Sequence, residues 1–208
     1  MSTTSLPRLY LLTDRHNTSQ RPISSIISQA VEAGVRMVQI REKDLDTRPL
    51  IELVQHLMPL IKRHQGKVFV NDRIDLAMAL DADGVHRRSD SLPLPLARRL
   101  LGQEKLIGIS THSVEEVRKA ESEGADFIVL GPIFETSSKR MYGPPLGLHT
   151  LETACRTSRL PIFAIGGLNP THVPSVLASG AYGVAVISAI LQAPSIVDRT
   201  HEFLSQLP

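Results

Sequence analysis

GADFIVLGPIFETSSKRMYGPPLG, residues Gly124–Gly147, contains the unit on which the chain is built. A short apolar run, Asp126–Leu130, leads directly into Gly131-Pro132. Three hydroxyl residues follow (Thr136, Ser137, Ser138), then the pair Lys139-Arg140 and a Gly-Pro-Pro-Leu-Gly tail. The run predicts a strand, being brief, β-branched and apolar on both faces. A polar, cationic and conformationally constrained loop at the end of a strand is how a rigid scaffold presents an anion-handling site. An ordinary soluble loop has the same composition, so the flanking sequence must decide between the two.

Working outward, the order strand, polar loop, helix recurs along the whole chain. Further strands are predicted at Leu9–Thr13, Arg36–Ile40, Lys67–Val70, Ala82–His86, Lys105–Ser110, Leu160–Gly167 and Gly183–Ser188. Helices are predicted at Ile23–Gly34, at Thr47–Arg63 and, briefly, over Ile74–Leu80. The second of these carries Leu50, Leu53, Val54, Leu57, Leu60 and Ile61 on one face, with a kink or early boundary expected at Pro59. Later helices fall at Pro93–Leu101, Ser113–Glu123, Gly147–Arg156, from Asn169-Pro170 to about Ser179, and Pro194–Leu204. Ser113 and Glu116 have the spacing of a capping box, and Pro170 suits a first helical position.

Eight strand–helix units with strands buried on both faces predict an α/β fold, a (βα)8 TIM barrel forming one domain over residues 1–208. Residues 1–8 are expected to form a flexible N-terminal tail. EAGVRMVQI, DADGVHR, EGADFIVL and SGAYGVAVI, each with a small residue or Ala-Asp pair before its strand, support the repeat. A doubly wound open sheet would place a glycine fingerprint in the first turn, and TDRHNTSQR (Thr13–Arg21) has none.

Composition narrows the function classes. With 42% hydrophobic residues the 208-residue chain can bury one substantial core. Twenty-three basic against 21 acidic residues leave a net charge of +2, too little for a nucleic-acid surface, so anion binding should be local. One cysteine, Cys155 in the helical stretch LETACRT, excludes an intrachain disulfide, fits a reducing compartment and reads as a structural thiol. No signal-like segment and no membrane-length apolar run is present, so a soluble cytoplasmic protein is expected. A homo-oligomer is compatible with the chain, which marks no patch for one.

In a barrel the carboxyl ends of all strands face one site. Those ends carry Asp14; Gln39, Arg41 and Lys43; Asn71 and Asp72; His86 and Asp90; Ser110 and His112; Thr136, Ser138 and Lys139; Gly166-Gly167; and Ser188. Such a gathering of usable groups on one rim points to an enzyme. Asp72 and Asp90 follow neighbouring strands, so both could reach one hard cation; with no His/Cys cluster that cation would be Mg²⁺. Alternatively, Asp72 caps the next helix and Asp90 begins a turn before Pro93. Arg41, Lys43 and Lys139 could supply donors to phosphate oxygens. Gly166-Gly167 and Ser188 fall at the corner where such barrels grip phosphate, though a lone Gly-Gly is otherwise a turn. His86 is either a base or a local hydrogen-bond partner. No Ser–His–acid or Cys–His arrangement stands out.

The motifs YLLTD (Tyr10–Asp14), VQIREK (Val38–Lys43), NDRIDLA (Asn71–Ala77) and ADGVH (Ala82–His86) stand in order with IGIS-H, GPIFET-S-K, AIGG (Ala164–Gly167) and GVAVISAI (Gly183–Ile190). As a set they resemble the thiamine phosphate synthase family, whose fold the TenI-like thiazole tautomerases share. The resemblance implies a Mg-dependent transferase that joins 4-amino-2-methyl-5-hydroxymethylpyrimidine diphosphate to thiazole phosphate and releases pyrophosphate. It implies that Gln39, Arg41, Lys43, Asn71, Ser110 and Lys139 hold the pyrimidine diphosphate, with Arg41, Ser110 and Lys139 catalytic. It implies Mg²⁺ on Asp72 and Asp90, and thiazole phosphate against Thr136, Ser138, Gly167, Ile187 and Ser188. Some tautomerases carry His where Pro132 stands, which favours the synthase here; a silent phosphometabolite-binding barrel is a third expectation, opposed by the two acids. One segment departs from the pattern. After GVH the family usually has Leu-Gly-Gln and one further residue before its Asp, where this chain has Arg87-Arg88-Ser89 and then Asp90, read as keeping the spacing to the acid, with the two arginines either binding diphosphate or facing solvent. The stretch Arg140–Pro145 is expected to be a stiffened lid.

Overall fold

A computed structural model describes residues 6–88, 90–136 and 144–208. Eight parallel strands close into a barrel in sequence order: β1 Leu9–Leu12, β2 Met37–Ile40, β3 Lys67–Asn71, β4 Gly84–Arg87, β5 Leu106–Thr111, β6 Phe127–Leu130, β7 Ile162–Ile165 and β8 Gly183–Val186. Outside it lie α1 Ile23–Glu32, α2 Thr47–Arg63, α3 Ile74–Ala79, α4 Leu94–Leu101, α5 Val114–Ser122, α6 Gly147–Thr157 and α7 Val173–Ala178. The last unit has two helices, α8 Ser188–Leu191 and α9 Ile196–Leu204. No helix among the described residues is long and apolar enough to cross a membrane.

The strand residues divide by parity. Leu11, Val38, Val70, Val85, Ile107 and Ile128 point outward and pack under the helices, forming the larger core. Tyr10, Phe69, Phe127 and Phe163 point inward and fill the barrel, their rings meeting edge to face at 5.1–5.8 Å. Each buried ring contributes about 1.5–3 kcal/mol through removal from water. Gly108 makes room for this plug, since a Cβ there would lie 2.1 Å from the Phe127 ring.

Below the plug the chain start is anchored. Leu6 is buried, the Tyr182 hydroxyl donates to its carbonyl, and the Arg8 guanidinium lies 4.8 Å over the Tyr182 ring. The tail expected over residues 1–8 is therefore packed at residues 6–8; residues 1–5 lie outside the described residues. The Ala-Asp pairs before strands also have a physical role. Asp83 accepts from the Val68 amide at 2.6 Å, and Asp126 from the Ile107 amide at 2.6 Å. Each carboxylate thus satisfies an amide on the neighbouring strand.

Local expectations fail at two places. Helix α2 runs through Pro59 to Arg63, so of the kink or early boundary expected there the boundary is absent. Leu50, Val54, Leu57 and Ile61 hold it to the barrel, while Pro59 and Gln55 face solvent, where water can satisfy the carbonyl that the proline leaves unbonded. The strand expected to reach Ser188 ends at Val186, and Ser188 opens α8 instead. An apolar run such as VISAIL does not separate a strand from a short buried helix. At α5, Ser113 accepts from the Glu116 amide at 3.1 Å, but Glu116 reaches back to the His112 amide, one residue beyond an ordinary capping box.

Candidate active site

At the carboxyl end of the barrel, above the aromatic plug, lies a cavity of about 500 Å³. That is enough for a small phosphorylated substrate. Of the residues expected at the site, Arg41, Ser110, Thr136, Gly167, Ile187 and Ser188 line it. Arg41 follows β2, and its backbone amide donates to Thr13 Oγ1 at 2.8 Å, tying β2 to β1. Its side chain is half-buried and makes no hydrogen bond or ion pair with any described residue. Burial pushes its pKa down, against the opposing pull of Asp14 and Glu42, and the nearby positive charge of Arg88 pushes the same way. A desolvated guanidinium without a carboxylate partner is electrostatically set for an anion.

Opposite Arg41 the wall is built from the loops after β6, β7 and β8. Gly167 has φ +65°, and a Cβ there would lie 2.3 Å from the Glu135 carbonyl oxygen, so only glycine lets the β7 and β6 loops approach this closely. Pro132 lines the cavity beside it, as do Ile187 and Ser188 at the start of α8. Arg199 also lines this wall, from α9, with Nη1 on the Ala189 carbonyl at 3.2 Å and Nε on Glu202 at 2.8 Å. Strand-end reasoning missed Arg199 because it lies within the last helix, where no strand-end signal marks it.

On the floor, the His86 Nε2 lies 2.9 Å from Ser110 Oγ, with the ring packed against Tyr10 and Phe127. Burial drives the His86 pKa down to about 3, with the Arg41 charge adding to it. His86 is thus a neutral partner of Ser110 and no proton carrier at neutral pH. His112 lines the cavity with Nδ1 donating to the Gly131 carbonyl at 2.6 Å. Gln39 sits deeper than expected: fully buried, its Nε2 donates to Tyr10 Oη at 2.9 Å, while Oε1 has no partner. Asn71 closes β3 in register with His86, and Lys43 is exposed in the loop after β2. Ser138 and Lys139, with the first part of the expected lid, lie outside the described residues; of that lid only Pro144-Pro145 are described. Cys155 is off the site, its thiol pushed up to about 11 by burial.

The two acids expected to hold Mg²⁺ have other partners. Asp72 does not cap the next helix; α3 begins at Ile74 with no side-chain cap. Its Oδ1 meets Arg87 Nε at 3.2 Å, and its Oδ2 lies 3.6 Å from Arg88 Nε. Arg88 Nε also lies 3.2 Å from Asp90 Oδ1. Arg87 is almost fully buried, and its Nη2 donates to the Leu92 carbonyl. Three residues separate His86 from Asp90, one fewer than the pattern that the resemblance implies, which would put Ser91 in the position of the acid. Ser91 Oγ is buried without a partner. Among the described residues no group of three or more His, Cys, Asp or Glu could hold a metal ion. A carboxylate shared between two guanidinium groups, with the second acid itself paired to Arg88, does not fit a divalent cation that requires oxygen donors and no adjoining positive charge.

The family model described as thiamine monophosphate synthase matches residues 9–190. The thiamine-phosphate synthase of Roseiflexus sp. is 42% identical over 186 residues, covering 89% of this chain and 79% of that protein. That of Syntrophomonas wolfei is 42% identical over 188 residues, covering 90% of each. Among solved structures, thiamine phosphate pyrophosphorylase from Pyrococcus furiosus superposes with a TM-score of 0.87 at 33% identity, covering 96% of this chain and 94% of that one.

Proposed function

Because the chain belongs to the thiamine monophosphate synthase family, we propose that it condenses 4-amino-2-methyl-5-hydroxymethylpyrimidine diphosphate with thiazole phosphate. The bond from the pyrimidine methylene carbon to the diphosphate oxygen breaks, with its electron pair leaving on pyrophosphate. The thiazole nitrogen then bonds to that carbon, giving thiamine phosphate. The observation that carries this assignment is Arg41, half-buried, its side chain making no hydrogen bond or ion pair with any described residue, and lining a cavity of about 500 Å³. A guanidinium so placed gains most when charge develops on the departing diphosphate, because it already lies in a partly desolvated site.

The other groups divide by position. Ser110, bonded to neutral His86, offers a fixed hydroxyl on the floor. Gly167, Ile187 and Ser188, with Arg199 missed at the sequence level, would receive the thiazole phosphate across the cavity from Arg41. Lys43 and Lys139 remain assigned to the diphosphate by resemblance, and Thr136 and Ser138 to the thiazole side. Pro132 has no proton to move where some tautomerases carry His, and the His112 Nδ1 proton is committed to a carbonyl. Asp72 and Asp90, the acids that would hold the Mg²⁺ implied by the family, are paired to arginine instead.

The test is to incubate the purified chain with both substrates. Thiamine phosphate and pyrophosphate should form together and in equal amounts. Interconversion of thiazole tautomers without condensation would transfer the assignment to the tautomerase branch.

A further inference from the structure

Arg88 stands between the two carboxylates expected from the sequence to share a metal, with Nε 3.6 Å from Asp72 and 3.2 Å from Asp90. Arg87, locked beneath it on Asp72 and on the Leu92 carbonyl, cannot withdraw without leaving its guanidinium buried and unpaired. Two guanidinium groups against two carboxylates give the charge balance that one Mg²⁺ would give, with no metal present. A metal added on top would leave the cluster with an excess of two positive charges beside a group that cannot move.

We propose that the Arg88 guanidinium takes the place of the divalent cation at this mouth, so that the chain binds the diphosphate group without metal. This rests on the assignment of the mouth as a diphosphate site. Both carboxylates approach Arg88 at Nε, on one edge of the guanidinium, which makes the other edge the one that addresses phosphate oxygens in a bidentate pair. Its side chain is half exposed, at 52%, so it is held in place by the acids without being sealed off. Position supports the role: Arg88 lines a second cavity of about 370 Å³ that shares Ser110 and Thr111 with the main one. Its positive charge also reaches Arg41, which lines the main cavity.

Titration calorimetry of the full chain with inorganic pyrophosphate, in EDTA and again in excess Mg²⁺, tests this directly. The expected result is binding in EDTA with an affinity within about threefold of that in Mg²⁺. Arg88→Ala should weaken the EDTA affinity by at least about tenfold, and Arg88→Lys, which keeps charge without the fork, by less. Circular dichroism checks that both variants are folded. Binding only with Mg²⁺, binding under neither condition, or EDTA binding unchanged in Arg88→Ala would each overturn the proposal. Pyrophosphate binding does not depend on the condensation. Metal-free binding through Arg88 in a protein that makes no thiamine phosphate would therefore count against the reaction assigned above and leave Arg88 in its role.

Discussion

His86 Nε2 lies 2.9 Å from Ser110 Oγ on the floor of the cavity, and the rest of the imidazole is enclosed by the Tyr10 and Phe127 rings. Enclosure is what sets its pH behaviour. With a folded pKa of about 3 against an ordinary value of 6.5, the unfolded chain takes up a proton through the whole interval between them. The stability that neutral His86 contributes is therefore fully present above pH 6.5 and is lost as pH falls toward 3.

The first prediction follows from that sign. Urea unfolding at pH 7 and pH 5 should show the wild type losing stability by up to about 1.4 kcal/mol per pH unit more than His86→Gln. Equal pH slopes for the two proteins would mean that His86 is not held neutral. Activity between pH 6 and 8 should show no step from this residue.

Arg41 should behave oppositely in stability and in function. Arg41→Met removes a half-buried cation whose side chain has no hydrogen bond or ion pair with any described residue. Thermal stability should hold or rise, while kcat/KM for the diphosphate substrate falls by about 100-fold or more, on the scale of a lost transition-state donor. A variant that is both less stable and fully active would remove Arg41 from the site.

The two aspartates should prove unequal. Asp72→Ala strands the buried Arg87 guanidinium and should cost roughly 2–4 kcal/mol in denaturant unfolding. Asp90 is 71% exposed, and Asp90→Ala should change stability by less than about 1 kcal/mol. Equal costs would contradict the asymmetric burial of the pair.

Two glycines are fixed by close approach. Gly108→Ala drives a methyl into the Phe127 ring, and Gly167→Ala drives one into the Glu135 carbonyl at a positive φ. Each should destabilise by about 1–3 kcal/mol or more, with Gly167→Ala also impairing turnover because it displaces the β6 loop. A soluble, fully active Gly167→Ala protein would show that the β6 and β7 loops need not meet as described.

The fold was legible because every strand is a short apolar run bounded by turn residues and every helix has an apolar face. Those local signals agree with the global closure. Most element ends shifted by a residue or two; helix α2 ran on past Pro59 because tertiary burial outweighed local preference, and β8 gave way to a helix at Ser188 because composition cannot separate the two. Strand-end positions found Arg41, Ser110, Gly167 and Ser188, since the barrel sends all those ends to one mouth. Arg199 enters from a helix, and the depth of Gln39 depends on strand tilt, so neither was visible in one dimension. The Arg87-Arg88 departure was visible in the sequence, which left diphosphate binding and solvent exposure open, but its pairing with the acids was not. Only the three-dimensional arrangement shows Arg88 meeting both acids, which had looked like free metal ligands.

The central claim is the condensation itself, and product analysis tests it most directly. Purified protein incubated with the pyrimidine diphosphate and thiazole phosphate should yield thiamine phosphate and pyrophosphate in equal amounts, with Arg41→Met reducing both together. Both substrates recovered unchanged, or thiazole tautomers interconverted with no thiamine phosphate formed, would contradict it.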